Sequence, residues 1–172
     1  LEFRRVLFRS GWGGMRIYVL RHAHADPAGH HQPDADRTLS VRGEAWARRL
    51  AKDFAAGRFG PAPTRIFASP ARRTMQTAEA IAAELALPIS PDARIGLRAE
   101  LEDLIHLANE LLRAPDRGPA LLVGHNPTVS DAAAFWCRGL APPPEPFAPG
   151  HGMAFDANND AGHPWHPASR VD

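Results

Sequence analysis

Residues 16–22 read Arg-Ile-Tyr-Val-Leu-Arg-His, an apolar run that ends on a cation and an imidazole. A short apolar run of this kind is typical of a buried strand. In open α/β sheets, ligands bind beyond the carboxyl ends of the strands. The stretch therefore predicts both a buried strand and a ligand-binding edge that carries Arg21 and His22.

Two further segments follow apolar strand candidates of their own. Residues 69–77 read Ser-Pro-Ala-Arg-Arg-Thr-Met-Gln-Thr, and residues 124–127 read Gly-His-Asn-Pro. Guanidinium groups bind phosphoryl oxygens through forked hydrogen bonds, and a histidine can act as a nucleophile through a covalent intermediate. Ser69 and Asn126, at predicted helix starts, would add backbone N–H donors. The pattern predicts a phosphoryl-binding pocket in which four side chains surround His22: Arg21, Arg37, Arg73 and His125.

Strands and helices alternate along the chain after residue 14, which predicts an α/β fold. We expect a three-layer α/β/α sandwich with a mostly parallel central sheet. The strand candidates are residues 16–20, 65–68 and 120–123, with weaker candidates at 88–90 and 153–155. The helix candidates run from Ser40 to about 56, from Ser69-Pro70 to about 87, from 101 to 112, and from just after Asn126-Pro127 to about 139. The proline-rich segment 141–149 and the tail after Ala157 are predicted to be irregular.

Length and composition predict one globular domain. The chain has 172 residues, of which 44% are hydrophobic and 23% are charged, as is ordinary for a domain with one core. Residues 1–14 mix arginines with aromatic residues and glycines, and Met15 directly precedes the first strand. We interpret residues 1–14 as a non-native or disordered extension and residues 15–172 as a single domain.

The net charge of the chain indicates which partners to expect, and its cysteine content indicates which cellular compartment. The net charge is +1 and the isoelectric point is near 8.3, so there is no electrostatic case for nucleic acid or an anionic membrane. No apolar stretch approaches the ~20 residues of a membrane span, and we recognise no signal peptide. The single cysteine, Cys137, excludes an internal disulfide and fits a reducing compartment. We therefore expect a cytoplasmic protein that binds neither nucleic acid nor membrane.

Three ordered motifs resemble the histidine phosphatase superfamily, also called phosphoglycerate mutase-like. They are Leu20-Arg21-His22-Ala23, the Ser-Pro-x-x-Arg-x-x-Gln-Thr-Ala run at residues 69–78, and Gly-His-Asn-Pro at residues 124–127. The resemblance covers roughly residues 15–156. It implies that His22 is the nucleophile that becomes phosphorylated and that no cofactor is needed. It also implies that three residues complete the phosphate pocket: Arg21, Arg73 and His125.

A fourth segment points to one branch of that superfamily. Asp36-Arg37-Thr38-Leu39-Ser40 resembles the family's R-P-L-T segment, in which a further arginine contacts phosphate, although Thr38 replaces the proline. This segment and the short chain are similar to the SixA branch, whose members are phosphohistidine phosphatases. The resemblance implies a phosphorylated protein or a small phosphorylated molecule as substrate, with Arg37 and Asn126 as substrate-binding residues.

The general acid is the part of the pattern that stays open. Mutase-type members carry an acidic residue between the second and third motifs, and Glu100, Glu102 and Asp103 compete for that role. The apolar stripe of the third helix turns Glu102 and Asp103 outward, which leaves Glu100 as the candidate. SixA-like members often lack this acid, and an imidazole leaving group with a pKa of about 6.5 needs less protonation than an alkoxide.

The sequence also bears on other phosphatase chemistries and on functions other than catalysis. Residues 34–38 match the D-x-D-x-T pattern of magnesium-dependent aspartyl phosphatases, but polar residues rather than a buried strand precede them. His22 and His24 would share one face of a strand and offer an alternative as metal ligands, but the remaining histidines lack the spacing of a zinc site, so no metal is expected. A general small-molecule phosphomonoesterase and a module that binds phosphoryl groups without turnover remain alternatives. A mutase is disfavoured because little sequence is left to enclose a phosphorylated sugar acid.

Overall fold

The first strand, β1 (Arg16–Arg21), is buried on both faces of a six-stranded sheet. In the computed structural model, which describes residues 15–157 and 164–172, its four apolar side chains are fully buried. Successive side chains of a strand point to opposite faces. Ile17 and Val19 accordingly pack into one hydrophobic core, and Tyr18 and Leu20 pack into another. The unbroken apolar run thus reflects two cores rather than one.

The described residues contain six strands and four α-helices. The strands are β1, β2 (Arg65–Ala68), β3 (Ile89–Pro91), β4 (Ala120–Gly124), β5 (Gly152–Ala157) and β6 (Trp165–Val171). The helices are α1 (Val41–Ala55), α2 (Arg72–Leu85), α3 (Leu101–Arg113) and α4 (Thr128–Cys137), and short 3-10 helices cover Asp34–Asp36 and Ala93–Ile95. The predicted α/β class is confirmed.

The sheet has the strand order β3-β2-β4-β1-β5-β6, and its first four strands are parallel. The last two strands are antiparallel to their neighbours. Leu50 of α1 and Ile81 of α2 pack on one face, while Leu104 of α3 and Trp136 of α4 pack on the other. The predicted three-layer sandwich with a mostly parallel sheet is confirmed.

The order of the three central strands brings the three motifs together. β2, β4 and β1 are parallel neighbours, so their carboxyl ends lie side by side. Just beyond these ends, the His22 N–H donates to the Gly124 carbonyl at 3.1 Å, and the Ser69 N–H donates to the Val123 carbonyl at 3.0 Å. The sheet therefore delivers the residues that follow each strand to one edge, as the carboxyl-end rule predicts.

Helix α1 fits closely against the segment that follows His22. As predicted, Ser40 precedes it, and the Ser40 hydroxyl accepts a hydrogen bond from the Gly43 N–H at 3.2 Å. A Cβ on Gly43 would lie 1.9 Å from the carbonyl oxygen of His24. Only glycine at this position lets the helix approach so near to the site. Within the described part of the chain, no helix is both long and apolar enough to cross a membrane.

Two sequence predictions about element boundaries are wrong. Helix α2 begins at Arg72 with Ala71 as its N-cap, not at Ser69-Pro70. The reason is local: the Ser69 hydroxyl accepts from the Ala71 N–H at 3.3 Å and so closes a turn ahead of the helix.

The tail is the second correction, because residues 165–171 form β6 rather than irregular structure. β6 lies at the edge of the sheet, where Pro167 is tolerated since an edge strand does not need every N–H. Its pairing with β5 is irregular at that point. Trp165 is fully buried near Trp136, which anchors the strand. The predicted extension 1–14 and tail residues 158–163 lie outside the described residues.

Candidate active site

His22 lies at the end of β1 with its imidazole held in one orientation. Its side chain is buried, and Nδ1 lies 2.7 Å from the Ala23 carbonyl oxygen. Since a carbonyl can only accept, Nδ1 carries the proton and Nε2 carries the lone pair. The Nε–H of Arg73 donates to Nε2 across 3.2 Å. His22 therefore presents a neutral, unprotonated Nε2 to the guanidinium of Arg73.

The surroundings of both pocket histidines favour the neutral form. Burial lowers the pKa of His22 to about 4, and the guanidiniums of Arg73, Arg21 and Arg37 act in the same direction against the Ala23 hydrogen bond. Burial likewise lowers the pKa of His125 to about 3, with further contributions from His22 and Arg73. A buried imidazole among arginines loses hydration and meets like charge when protonated. Both rings are thus uncharged near pH 7.

Helix α2 holds the pocket through three side chains of one motif. Besides Arg73, the Gln76 side-chain oxygen accepts from the Leu39 N–H at 2.8 Å. The Thr77 hydroxyl accepts from the Ala23 N–H at 3.1 Å and donates to the Arg73 carbonyl. These residues lie one turn apart on the same helix face. The Arg-x-x-Gln-Thr spacing therefore places the Arg73 guanidinium in the pocket and also holds the backbone at Ala23 and Leu39.

His125 meets Ser69 across the β2–β4 boundary. The His125 Nε2 and the Ser69 hydroxyl lie 2.8 Å apart, and the His22 and His125 ring centroids are 5.3 Å apart. Both Ser69 and His125 are buried. The His125 Nδ1 is buried without a hydrogen-bond partner among the described residues, as is the Nε of Arg21. The predicted pocket thus holds two buried polar atoms that the described part of the protein leaves unsatisfied.

Arg21 and Asn126 share one acceptor in the proline-rich segment. The Phe147 carbonyl accepts from Arg21 Nη1 at 2.8 Å and from Asn126 Nδ2 at 3.0 Å. The Asn126 oxygen accepts from the Ser130 hydroxyl, which in turn accepts from the Phe147 N–H. The amide of Asn126 is therefore engaged with the protein itself, and its predicted role in binding substrate stays a prediction.

Arg37 reaches the pocket from the loop before α1. Its Nε donates to the Asp26 carbonyl at 2.9 Å, and its Nη1 donates to Asp34 Oδ1 at 3.0 Å. Asp34 Oδ2 also accepts from Arg73 Nη2 at 2.9 Å. One carboxylate therefore bridges two of the predicted phosphate-binding arginines.

Glu100 lies away from these contacts in the hydrogen-bond network. It is exposed and immediately precedes α3, where its N–H donates to Asp103 Oδ2 at 3.0 Å. Among the described residues, no hydrogen bond joins its carboxylate to His22 or to the arginines around it. This hydrogen bond gives Glu100 a structural role at the start of α3. Its role as the general acid stays a prediction.

A surface cavity of about 330 Å³ adjoins the Ser69–His125 pair. Its lining is mostly small or apolar, with one arginine at the rim: Ala35, Ser69, Pro70, Ala71, Ala93, Gly96, Leu97 and Arg98. No group of three or more His, Cys, Asp or Glu side chains suited to a metal ion occurs in residues 15–157 and 164–172.

Sequence reasoning missed the roles of several residues that hold the pocket. In the sequence, Asp34 carries no signal except the D-x-D-x-T pattern, and Ser69 carries only that of a helix start. Gln76 and Thr77 belong to the quoted motif, so their spacing from Arg73 was a usable signal. The Phe147 carbonyl had no sequence signal, because any residue supplies a carbonyl.

A comparison with known proteins gives a family match over part of the chain. Residues 17–96 match the histidine phosphatase superfamily (branch 1). The resemblance predicted from the motifs is confirmed. The matched segment contains Arg21, His22 and Arg73, while His125 lies beyond it. No curated protein matches the chain.

Solved structures of histidine phosphatase relatives share the fold. SixA of Agrobacterium tumefaciens is 26% identical, has a TM-score of 0.74, and the match covers 92% of this chain and 98% of that one. A protein histidine phosphatase SixA solved with tungstate is 21% identical, with a TM-score of 0.77 and coverage of 92% and 97%. A mycobacterial glucosyl-3-phosphoglycerate phosphatase is 18% identical, with a TM-score of 0.70 and coverage of 91% and 98%.

The last two likenesses show the fold alone, which is phosphoglycerate mutase-like as predicted. Together, the family match and the structural neighbours support a phosphatase.

Proposed function

We propose that this chain is a metal-independent phosphatase that acts through a phosphohistidine intermediate on His22, with phosphohistidine in a protein as its substrate. The observation that carries the proposal is the state of the His22 imidazole. Its Nδ1–H is fixed by the Ala23 carbonyl, and its Nε2 lone pair faces the Arg73 guanidinium. A neutral imidazole with a directed lone pair is what attack on phosphorus requires.

In the first step, the Arg73 Nε–H leaves Nε2 of His22 and donates to a phosphoryl oxygen, and Nε2 attacks phosphorus. The bond from phosphorus to the leaving nitrogen of the substrate histidine breaks. Three equatorial oxygens then carry negative charge that must be stabilised. Arg73 and Arg21 bear N–H groups suited to those oxygens, and the unpartnered Arg21 Nε and His125 Nδ1 add donor sites if His125 carries its proton on Nδ1. This step leaves a phosphorylated His22, and the substrate histidine departs as a neutral imidazole that keeps the proton on its other ring nitrogen.

In the second step, water attacks the phosphorus of phosphorylated His22. The P–N bond breaks, inorganic phosphate is released, and Nε2 regains its lone pair. The proton of the attacking water passes to phosphate or solvent, so the ring returns to its starting tautomer. The Ala23 carbonyl holds the Nδ1 proton throughout, which keeps Nε2 as the reacting atom.

Two features support phosphohistidine rather than an alkyl phosphate as the substrate. First, the carboxylate of Glu100 has no hydrogen bond to the pocket, and an imidazole leaving group needs little protonation compared with an alkoxide. Second, the similar solved structures include two SixA proteins, one named a phosphohistidine phosphatase and one a protein histidine phosphatase.

The test measures phosphate release, in the presence of EDTA, from a phosphohistidine-bearing protein and from p-nitrophenyl phosphate. Wild type is compared with His22→Ala and with His106→Ala, a control that removes an exposed histidine of α3. We expect release by wild type and by His106→Ala, with loss of more than about 10³-fold in His22→Ala and an unchanged circular dichroism spectrum. A quenched reaction should trap acid-labile phosphate on wild type and on His106→Ala but not on His22→Ala.

Each other outcome revises the proposal in a defined way. Equal turnover by His22→Ala would overturn the mechanism. Preference for p-nitrophenyl phosphate would replace the phosphohistidine substrate by a general phosphomonoesterase. Phosphate binding without release from either compound would make the pocket a binding module.

A further inference from the structure

Asp34 contacts Arg73 through two acceptors at once. Arg73 Nη1 donates to the Asp34 backbone carbonyl at 2.6 Å, and Arg73 Nη2 donates to Asp34 Oδ2 at 2.9 Å. The Arg73 side chain is only 5% exposed, whereas the Asp34 side chain is 54% exposed, so the ion pair joins a buried guanidinium to a carboxylate at the protein surface. Asp34 thereby occupies the end of the guanidinium, where Nη1 and Nη2 point outward together.

This contact decides which edge of Arg73 faces the reacting histidine. A guanidinium has five N–H groups in a rigid plane, so binding its end fixes the direction of its side edge. The side edge carries the Nε–H, which donates to His22 Nε2 at 3.2 Å, and one N–H of Nη2. A phosphoryl group on His22 would meet this edge while Asp34 keeps the other.

Asp34 also binds a second arginine, Arg37. Its Oδ1 accepts from Arg37 Nη1 at 3.0 Å, so each carboxylate oxygen holds one guanidinium. Two like charges repel unless an opposite charge lies between them. The carboxylate therefore allows Arg37 and Arg73 to stand close together.

We propose that Asp34 is a positioning residue, which turns the Nε edge of Arg73 toward His22 and holds Arg37 beside it. The inference rests on the proposed function. A different role is conceivable for a carboxylate near phosphate-binding arginines, namely that it competes with the phosphoryl group. Because Asp34 binds the end of Arg73 and leaves the Nε edge facing His22, the geometry favours positioning over competition.

The two roles predict opposite kinetics for Asp34→Ala. Loss of a positioning residue lets the Arg73 guanidinium rotate, and small misplacements in an active site are costly. We expect kcat to fall about 10-fold to 100-fold, while inhibition by inorganic phosphate is equal or tighter because a negative charge is gone. Removal of a competitor would instead raise kcat/KM.

Two further variants separate positioning from a general structural effect. The backbone carbonyl of residue 34 still accepts from Arg73 Nη1 in every variant. Asp34→Asn keeps one side-chain acceptor oxygen in place of two, so its kcat should lie between those of wild type and Asp34→Ala. Asp36→Ala, on the same 3-10 helix and exposed, is the matched control and should retain wild-type kcat. In an Arg73→Ala background, Asp34→Ala should cause no further loss of kcat, since the two act through one contact.

The outcomes distinguish this inference from the proposed function. If wild type releases no phosphate, the proposed function fails and this inference fails with it. If wild type and Asp36→Ala are active and Asp34→Ala has unchanged or raised kcat, only the role of Asp34 is overturned. An undiminished effect of Asp34→Ala in the Arg73→Ala background would also overturn it.

Discussion

The Nε–H of Arg73 donates a hydrogen bond to Nε2 of His22, a residue that lies 51 positions earlier in the chain. The contact joins the first residues of α2 to the end of β1, and both side chains are buried. This hydrogen bond places the Arg73 guanidinium against Nε2 of His22, the atom that we propose as the nucleophile. The orientation of this one guanidinium therefore connects the fold to the chemistry.

Arg73→Lys should lower kcat for phosphohistidine hydrolysis by about 10²-fold to 10³-fold. An ammonium keeps the charge but cannot hold Asp34 with one edge and face His22 with another. The measurement is steady-state phosphate release, with thermal unfolding to check the fold. Arg72→Lys is the matched control, because Arg72 is exposed on the same helical turn and pairs with Glu79. A kcat for Arg73→Lys within threefold of wild type would contradict the role of the guanidinium fork.

Ser69→Ala should lower kcat about 10-fold, which corresponds to ~1.4 kcal/mol. The change removes the hydroxyl that lies 2.8 Å from His125 Nε2 and so frees the ring to turn. Ser90→Ala removes an exposed hydroxyl on β3 and should have no effect. If both variants keep the wild-type rate, the Ser69 contact does not orient His125.

The lowered pKa of His22 predicts a loss of stability in acid. Its pKa is about 4 in the folded protein and about 6.5 in an unfolded chain. Between these values the unfolded state binds more protons, so the free energy of unfolding falls as the pH drops from 6.5 toward 4. The decrease due to His22 should reach about 3 kcal/mol near pH 4.

Urea unfolding at several pH values from 4 to 7 measures this effect. The decrease should be smaller in His22→Gln, which has no group that titrates in this range. Ring-proton NMR signals of His22 should also show a neutral imidazole at pH 6. A titration midpoint near 6.5, or equal acid loss in both proteins, would contradict the prediction.

Glu100→Gln should change phosphate release from the phosphohistidine protein by less than about threefold. The Glu100 carboxylate is exposed and has no hydrogen bond to the pocket within the described residues, and its N–H is held by Asp103. Glu102→Gln, exposed on the first turn of α3, is the control. A selective loss of more than tenfold in Glu100→Gln would instead identify Glu100 as the general acid.

Periodicity and motif spacing predicted most of the elements. The apolar stripe from Leu101 to Leu112 became α3, and the three strong strand candidates became β1, β2 and β4. β6 escaped prediction because His166 and Pro167 interrupt its apolar alternation. It is stabilised by pairing with β5 and by burial of Trp165, and neither is visible in a local pattern. The start of α2 was misplaced because the Ser69 hydroxyl bonds outside the helix, which no local pattern reveals.

Arg21, His22 and His125 follow predicted strands, and Arg73 lies near the start of a predicted helix. Because these strands end at one edge of the sheet, the sequence alone predicts that the four side chains form a pocket. The sequence could not decide which edge of Arg73 faces His22, or that Asp34 bridges Arg73 and Arg37. Nor could it assign the two ring nitrogens of His22, whose Nδ1 is fixed by the Ala23 carbonyl. Strand ends follow from patterns along the chain, whereas the direction of a hydrogen bond depends on partners that only the folded chain brings within reach.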